Sequence, residues 1–199
     1  MKKWLLNPFE FIAGAKSLLI GLTGICITIL LAYPNQIHFD GALGIHLSKD
    51  TPLWFYFVQG IIGWLSLALT LFIAGKIFSS SSIRMIDVFG TIAFARIPDI
   101  LISLIAFALP LNNLKSTVQN EDIKKFFLDL EISDVVTLTI MAIITVLVSI
   151  WVIVLMWKAY SISCNVTGPK GRWSFAIGLI VAEISSQTAL YFVSHNYLV

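Results

Sequence analysis

Arginine, proline and aspartate stand close together at Arg96, Pro98 and Asp99, inside a stretch of sequence that is otherwise apolar. A second apolar stretch holds Glu183, followed by Ser185, Ser186 and Gln187. Ionisable side chains are expensive to hold in hydrocarbon, so each of the three is a functional candidate that needs a partner. Arg96 and Asp99 are three apart and therefore neighbours on one helical face. Pro98 has no amide hydrogen, which leaves the carbonyl of Phe94 without its helical donor and predicts a kink that shows charge and bare backbone together. Arg96 and Glu183 each lie ten residues from the start of their apolar run, about 15 Å along a helix, with Asp99 about 4 to 5 Å deeper. The matching depths predict an Arg96–Glu183 contact, one cation between two carboxylates. A retained proton, a cation or water would then balance the charge, and Asp99 and Glu183 would titrate as a coupled set. Two kinds of work suit such a group: handling protons or ions, and fixing the packing of two helices.

Other chemistry is weakly represented. His38, His46 and His195 lack the spacing of a zinc site, and Cys26 and Cys164 form no paired motif, so neither metal, disulfide nor cofactor is expected. The patterns G-x-S-x-G, H-E-x-x-H and G-x-x-x-x-G-K are absent, and no apolar run holds a histidine that could serve a serine as base. These absences favour a non-enzymatic protein. Basic residues are not interleaved with aromatics over any length, which argues against a nucleic-acid partner.

The elements that must position these residues follow from composition. Of 199 residues, 58% are hydrophobic and 12% charged, against roughly a quarter charged in soluble domains. With a mean hydropathy of +0.90, too few polar side chains remain to cover a soluble surface, and the lipid bilayer is the expected surrounding. Runs near the 20 apolar residues of a spanning helix occur at Ser17–Tyr33, Leu53–Ile77, Ile86–Leu109, Val135–Trp157 and Trp173–Ser194. The first could instead be a signal peptide, but a small-x-small cleavage pattern is missing around Ala32, Tyr33 and Pro34. The fold class is therefore an all-α membrane protein: a single five-transmembrane-helix bundle over 1–199, with short amphipathic and interfacial elements. One side of that bundle would hold Lys2, Lys3, Lys16, Lys76, Arg84, Lys158, Lys170 and Arg172 against Glu10 and Asp87. The other would hold Lys49, Lys115, Lys124 and Lys125 against seven acids, namely Asp40, Asp50, Glu121, Asp122, Asp129, Glu131 and Asp134. Positive loops stay cytoplasmic, so the N-terminus is expected inside and the C-terminus outside.

Between the spans, Asn7, Pro8 and Glu10 predict a capped interfacial helix with Trp4, Leu5, Phe9 and Ile12 at headgroup level. Ile37 to His46 alternates around Asp40-Gly41-Ala42, a hairpin signal that would pair Phe39 with Leu43 and Ile37 with Ile45 and place His38 and His46 on the opposite face. Ile123, Phe126, Phe127 and Leu130 form the stripe of a short amphipathic helix. Ser79–Ser82 and Gly168–Gly171 are connections too short for a soluble catalytic domain. The glycines and serines at Ser17, Gly21, Gly24, Gly60, Gly63 and Ser66 suit close helix packing.

This arrangement resembles the YIP family, the Ypt/Rab-interacting five-span membrane proteins. The similarity lies in Phe89, Gly90, Thr91, Ala93, Ala95, Arg96 and Pro98, in the Asn7-Pro8-Phe9 entry, and in Trp151 and Trp157 closing the fourth span. Golgi members carry a long soluble N-terminal region and Asp-Leu-x-Gly-Pro and Gly-Tyr signatures that do not occur here, so the resemblance does not extend to a Rab GTPase partner. It points to the short bacterial members, some of which accompany ABC-type export systems. It implies an accessory or scaffold protein of the bacterial inner membrane, bound to another integral membrane protein through small-residue faces and short inner loops. Read from the charged residues alone, the alternative is a small transporter or channel, proton-coupled through Arg96, Asp99 and Glu183. The amphipathic segments leave a lipid-handling protein as a third expectation.

Overall fold

A computed structural model describes residues 5–47, 51–108 and 131–197. Its helices are α1 (Gly14–Ala32), α2 (Leu53–Phe78), α3 (Met85–Ala95), α4 (Asp99–Ala108), α5 (Ile132–Ser163) and α6 (Gly168–Tyr197). Two short strands, β1 (Ile37–His38) and β2 (His46–Leu47), pair antiparallel between α1 and α2. Five segments are long and apolar enough to cross a membrane, with α3 and α4 together forming the third. The chain is an all-α, multi-pass membrane protein.

The third span breaks where the proline predicts. Pro98 cannot donate to the Phe94 carbonyl, and the chain tightens instead: the amide of Ile97 donates to that carbonyl at 3.1 Å, and the amide of Asp99 donates to Arg96 at 3.0 Å. The carbonyl expected to be bare is thus satisfied within its own turn. α5 and α6 run longer than their apolar cores suggest. α5 starts at a capping box between Glu131 and Asp134, and the expected Gly168–Gly171 connection is the first turn of α6, where Pro169 loses no hydrogen bond.

Lipid offers apolar side chains little reason to cluster, so close backbone approach holds such a bundle together. α1 lies on α3 with Gly21 against the backbone of Ala93 and Phe94, and Gly24 meets Ile97. Gly60 of α2 receives Ile29, while α6 packs along α2 with Gly178 against Leu71. α5 crosses α3, where the hydroxyls of Thr91 and Ser163 share a hydrogen bond at 2.9 Å. Leu67, Leu71, Ile92, Ile102, Met156 and Tyr160 fill the centre, and the outer faces carry Leu19, Ile77, Leu147 and Ile184 toward lipid.

Two expectations at the periphery change. The expected capped start does not form: Pro8–Glu10 make one 3-10 turn, the Asn7 side chain donates to Glu10 Oε1 at 2.7 Å without capping the backbone, and Trp4 lies outside the described residues. Phe9 is only 3% exposed and meets Phe94 edge-on, so it anchors the entry to the bundle interior. The stripe at Ile123, Phe126, Phe127 and Leu130 lies outside the described residues.

Candidate functional site

The connection from α1 to α2 does not remain at the membrane surface. After a 3-10 turn at Tyr33–Asn35 and a left-handed Gln36, the chain enters β1 and turns down into the bundle. His38 Nδ1 donates to Gln59 Oε1 at 2.8 Å, six residues or about 9 Å into α2. The tip reaches Gly63, ten residues or about 15 Å into the same helix, where a Cβ would overlap the carbonyl of Gly41. Gly41 itself has φ +72°, which favours glycine, and a Cβ there would lie 2.8 to 3.0 Å from the side chains of Gln187, Ser186 and Glu183. Residues 37–47 therefore form a re-entrant hairpin. Irregular backbone at this depth is tolerated only where protein covers it, and the bundle supplies that cover.

Glu183 is the cover for the tip. It sits halfway along α6, and its Oε2 accepts the consecutive amides of Ala42 at 3.0 Å and Leu43 at 2.9 Å. Its Oε1 accepts Gln187 Nε2 at 3.0 Å, and the same nitrogen reaches Asp40 Oδ2 at 3.4 Å. Charge-assisted bonds of this kind are about twice as strong as neutral ones. One carboxylate thus ties a non-helical loop to the last helix across some 140 residues of sequence.

The expected Arg96–Glu183 contact does not form. Arg96 Nε donates to Asp99 Oδ2 at 3.3 Å, both residues are 6% exposed, and Arg96 Nη1 is buried without a hydrogen-bond partner among the described residues. The contact fails because Arg96 is taken by Asp99 and Glu183 by the amides of the tip, and the helix starts do not match either. Glu183 is about 22 Å from the start of α6, against about 16 Å for Arg96 from the start of α3. Pro98 is buried in the turn between them and sets where α4 restarts. The hairpin tip is what joins the three groups: the Gly41 carbonyl and Arg96 Nη1 meet at the bare Cα of Gly63. A cavity of about 10 Å³, room for one water, lies between Arg96, Asp99, Leu43 and Ser149.

The hairpin divides its surroundings by face. Its register is Ile37 opposite Leu47 and His38 opposite His46, two residues from the expected pairing, because the turn takes up seven residues instead of three. His38 and His46 do share a face, with their rings stacked at 5.4 Å. Ile37, Ile45 and Leu47 front an apolar groove of about 370 Å³ against α4 and α5. The other face opens on a cavity of about 350 Å³ between the hairpin, α2 and α6, lined by His38, Asp40, His46, Gln59, Gln187 and Tyr191 among others. His46 Nδ1 donates to Asp40 Oδ1 at 3.0 Å. Burial pushes the Asp40 carboxyl up, but the hydrogen bond and charge of His46, with Gln187, hold it below its ordinary value. His195 stacks on Tyr191 further out along α6. Among the described residues no group of three or more histidine, cysteine, aspartate or glutamate side chains is placed to hold a metal.

Comparison with protein-family models, with curated proteins and with solved structures finds no match.

Sequence reasoning identified Arg96, Pro98, Asp99 and Glu183 but missed Asp40, Gly41, Gly63 and Gln59 as parts of one site. A signal was available. Apart from Asp40 and the two histidines, the hairpin is built of Ile37, Phe39, Ala42, Leu43, Ile45 and Leu47 with two glycines, too apolar for a loop in water.

Proposed function

We propose that the chain handles a small polar or charged solute, held in the cavity behind the hairpin and passed when the tip leaves its seat. One observation carries this reading: two non-helical stretches, the α3–α4 break and the hairpin tip, meet in the middle of the bundle beside buried ionisable groups. Interrupted spans with exposed backbone at mid-membrane mark the sites of many transporters. Glu183 accepts the tip amides through a carboxylate oxygen, so loss of that acceptor weakens the seat. Asp40, Arg96 and Asp99 are the other ionisable groups around the tip.

The test uses the full chain in liposomes loaded with a pH-reporting dye. A protein-dependent pH change on adding one of a panel of amines, carboxylates or sugars, lost in Glu183→Gln, is the expected result. No protein-dependent signal with any of them overturns the reading. The proposed setting is a bacterial inner membrane with the basic end of the bundle cytoplasmic, the N-terminus inside and the C-terminus outside. A reporter fused after residue 199 checks that orientation, and a cytoplasmic signal overturns it.

A second reading is a YIP-type accessory protein bound to another integral membrane protein such as an ABC-type exporter. The small-residue faces do not support it, since Gly21, Gly24, Gly60 and Gly63 are consumed inside this chain. What favours it is α5, the helix least covered by its neighbours. Its exposed Val136, Ile140, Ile143, Leu147, Ile150 and Val154 follow 4-3 spacing, a seam on which a partner helix would pack. Co-purification of one defined membrane partner, lost when Ile143 and Leu147 are both replaced by tryptophan, would establish it over solute passage.

A further inference from the structure

We propose that the cavity behind the hairpin takes a primary ammonium group, with Asp40 as its counter-ion and Phe55 and Tyr191 as its walls. The inference rests on the solute-handling reading and names the solute class.

The cavity is lined by polar groups. His38 Nδ1 donates to Gln59 Oε1 at 2.8 Å, and its Nε2 lies 3.4 Å from Thr51 Oγ1. His46 Nδ1 donates to Asp40 from a side chain that is 46% exposed. Asp40 adds a carboxylate whose two oxygens are held from behind by His46 and Gln187. Its direction is thereby fixed in the wall of the cavity.

Charge points the same way. Among the described residues no lysine or arginine lines the cavity, whereas Asp40 lies in its wall and Glu183 lies one hydrogen bond behind it through Gln187. Arg96 reaches the tip beside Gly63 and is paired with Asp99. Among the described residues, Asp40 and Glu183 are thus the acids nearest this space. Phe55 and Tyr191 flank the space from α2 and α6, and aromatic faces attract ammonium groups. A volume of about 350 Å³ is near the lower end for ligand pockets and suits a small amine. The amine could be free in solution or belong to a phospholipid headgroup reaching in from the adjacent leaflet.

The experiment measures thermal unfolding of the delipidated full chain in detergent, followed by tryptophan fluorescence. The probes are ethanolamine, its neutral analogue ethylene glycol, acetate, and micelles doped with phosphatidylethanolamine or phosphatidylglycerol. A rise in melting temperature with ethanolamine, absent with glycol and acetate, supports the proposal and assigns a free amine. A rise only with phosphatidylethanolamine supports it and assigns the headgroup. Asp40→Asn should remove the shift. Should that variant fail to fold, Tyr191→Leu, on an exposed side chain, should weaken the midpoint concentration by about tenfold through loss of the cation–π contact. Equal shifts with glycol, a shift with acetate, or no shift with either amine source overturns the proposal. Liposome flux without amine binding refutes this inference alone, and amine binding without flux refutes the passage reading alone.

Discussion

Replacing Glu183 by alanine should unseat the hairpin. Two backbone amides, those of Ala42 and Leu43, give their hydrogens to one carboxylate oxygen in a part-buried setting at mid-bundle. Removing the acceptor leaves both unsatisfied at about 1–3 kcal/mol each, so the seated state loses about 2–6 kcal/mol. At about 1.4 kcal/mol per factor of ten, the open population rises at least about thirtyfold. Glu183→Gln keeps a carbonyl oxygen for the same amides but loses the charge and sets a second amide group against Gln187, so about 1–2 kcal/mol should disappear. The readout is the rate at which Leu43→Cys, in a chain that also carries Cys26→Ser and Cys164→Ala, reacts with a soluble maleimide. Labelling should be slow with Glu183 present, faster with glutamine and fastest with alanine. Equal rates in all three chains, with unchanged melting temperature, would show that Glu183 does not hold the tip and would remove the basis for the hairpin as a moving part.

Gly63→Ala should raise the same labelling rate, because its Cβ overlaps the Gly41 carbonyl and overpacking of this kind costs about 1–3 kcal/mol; unchanged labelling would place the tip elsewhere. Gly21→Ala should lower the melting temperature without exposing Leu43→Cys, since its Cβ strikes the backbone of Ala93 and Phe94 at the α1–α3 crossing; hairpin exposure in that variant would contradict two independent contacts. Burial pushes the Cys164 thiol up to about 12, so at neutral pH it should resist alkylation until detergent denaturation, and fast labelling of the folded chain would refute its position against Gly75. Exchanging Glu183→Gln together with Gln187→Glu should restore slow labelling of Leu43→Cys relative to Glu183→Gln alone, while moving a negative charge one helical turn toward Asp40; if the exchange stays as open as the single variant, the Gln187 link is unimportant.

The spans were legible because apolar length is a one-dimensional property, and the break in the third was legible because Pro98 acts on its own helix. The Arg96–Asp99 pair belongs to the same class, since residues three apart on a helix meet whatever else the chain does. Glu183 was legible as costly, but its partners were not. They are main-chain amides, which every residue carries, so no side-chain pattern marks Ala42 and Leu43 as donors. Counting depth from apolar edges failed for a related reason. Equal depth puts Arg96 and Glu183 at one level, but Arg96 meets Asp99 and Glu183 meets main-chain amides that no side-chain pattern announces. The hairpin was legible in existence and in the shared histidine face, but its register depends on how the tip fits under Gly63, a tertiary contact.

A hairpin placed among helices must find partners for backbone groups that a helix would satisfy internally, and lipid supplies none. That requirement explains why the polar residues cluster as they do. Gln59 holds the base of the hairpin, Glu183 the amides of its tip, and Gly63 admits the Gly41 carbonyl. Arg96 and Asp99 are different: they pair with each other through Nε and Oδ2 and hold none of the hairpin amides. If structural cover were the whole account, the bundle would not need to bury Arg96 and Asp99 beside the tip, because a continuous third span and a short surface loop would avoid these desolvation costs. The interrupted span and the inserted hairpin meet at one level, and each makes the other tolerable by filling the space it opens. Such mutual dependence suits an element with two positions better than a fixed joint, since withdrawing the tip would expose Arg96, Asp99 and Glu183 together to whatever enters from the cavity.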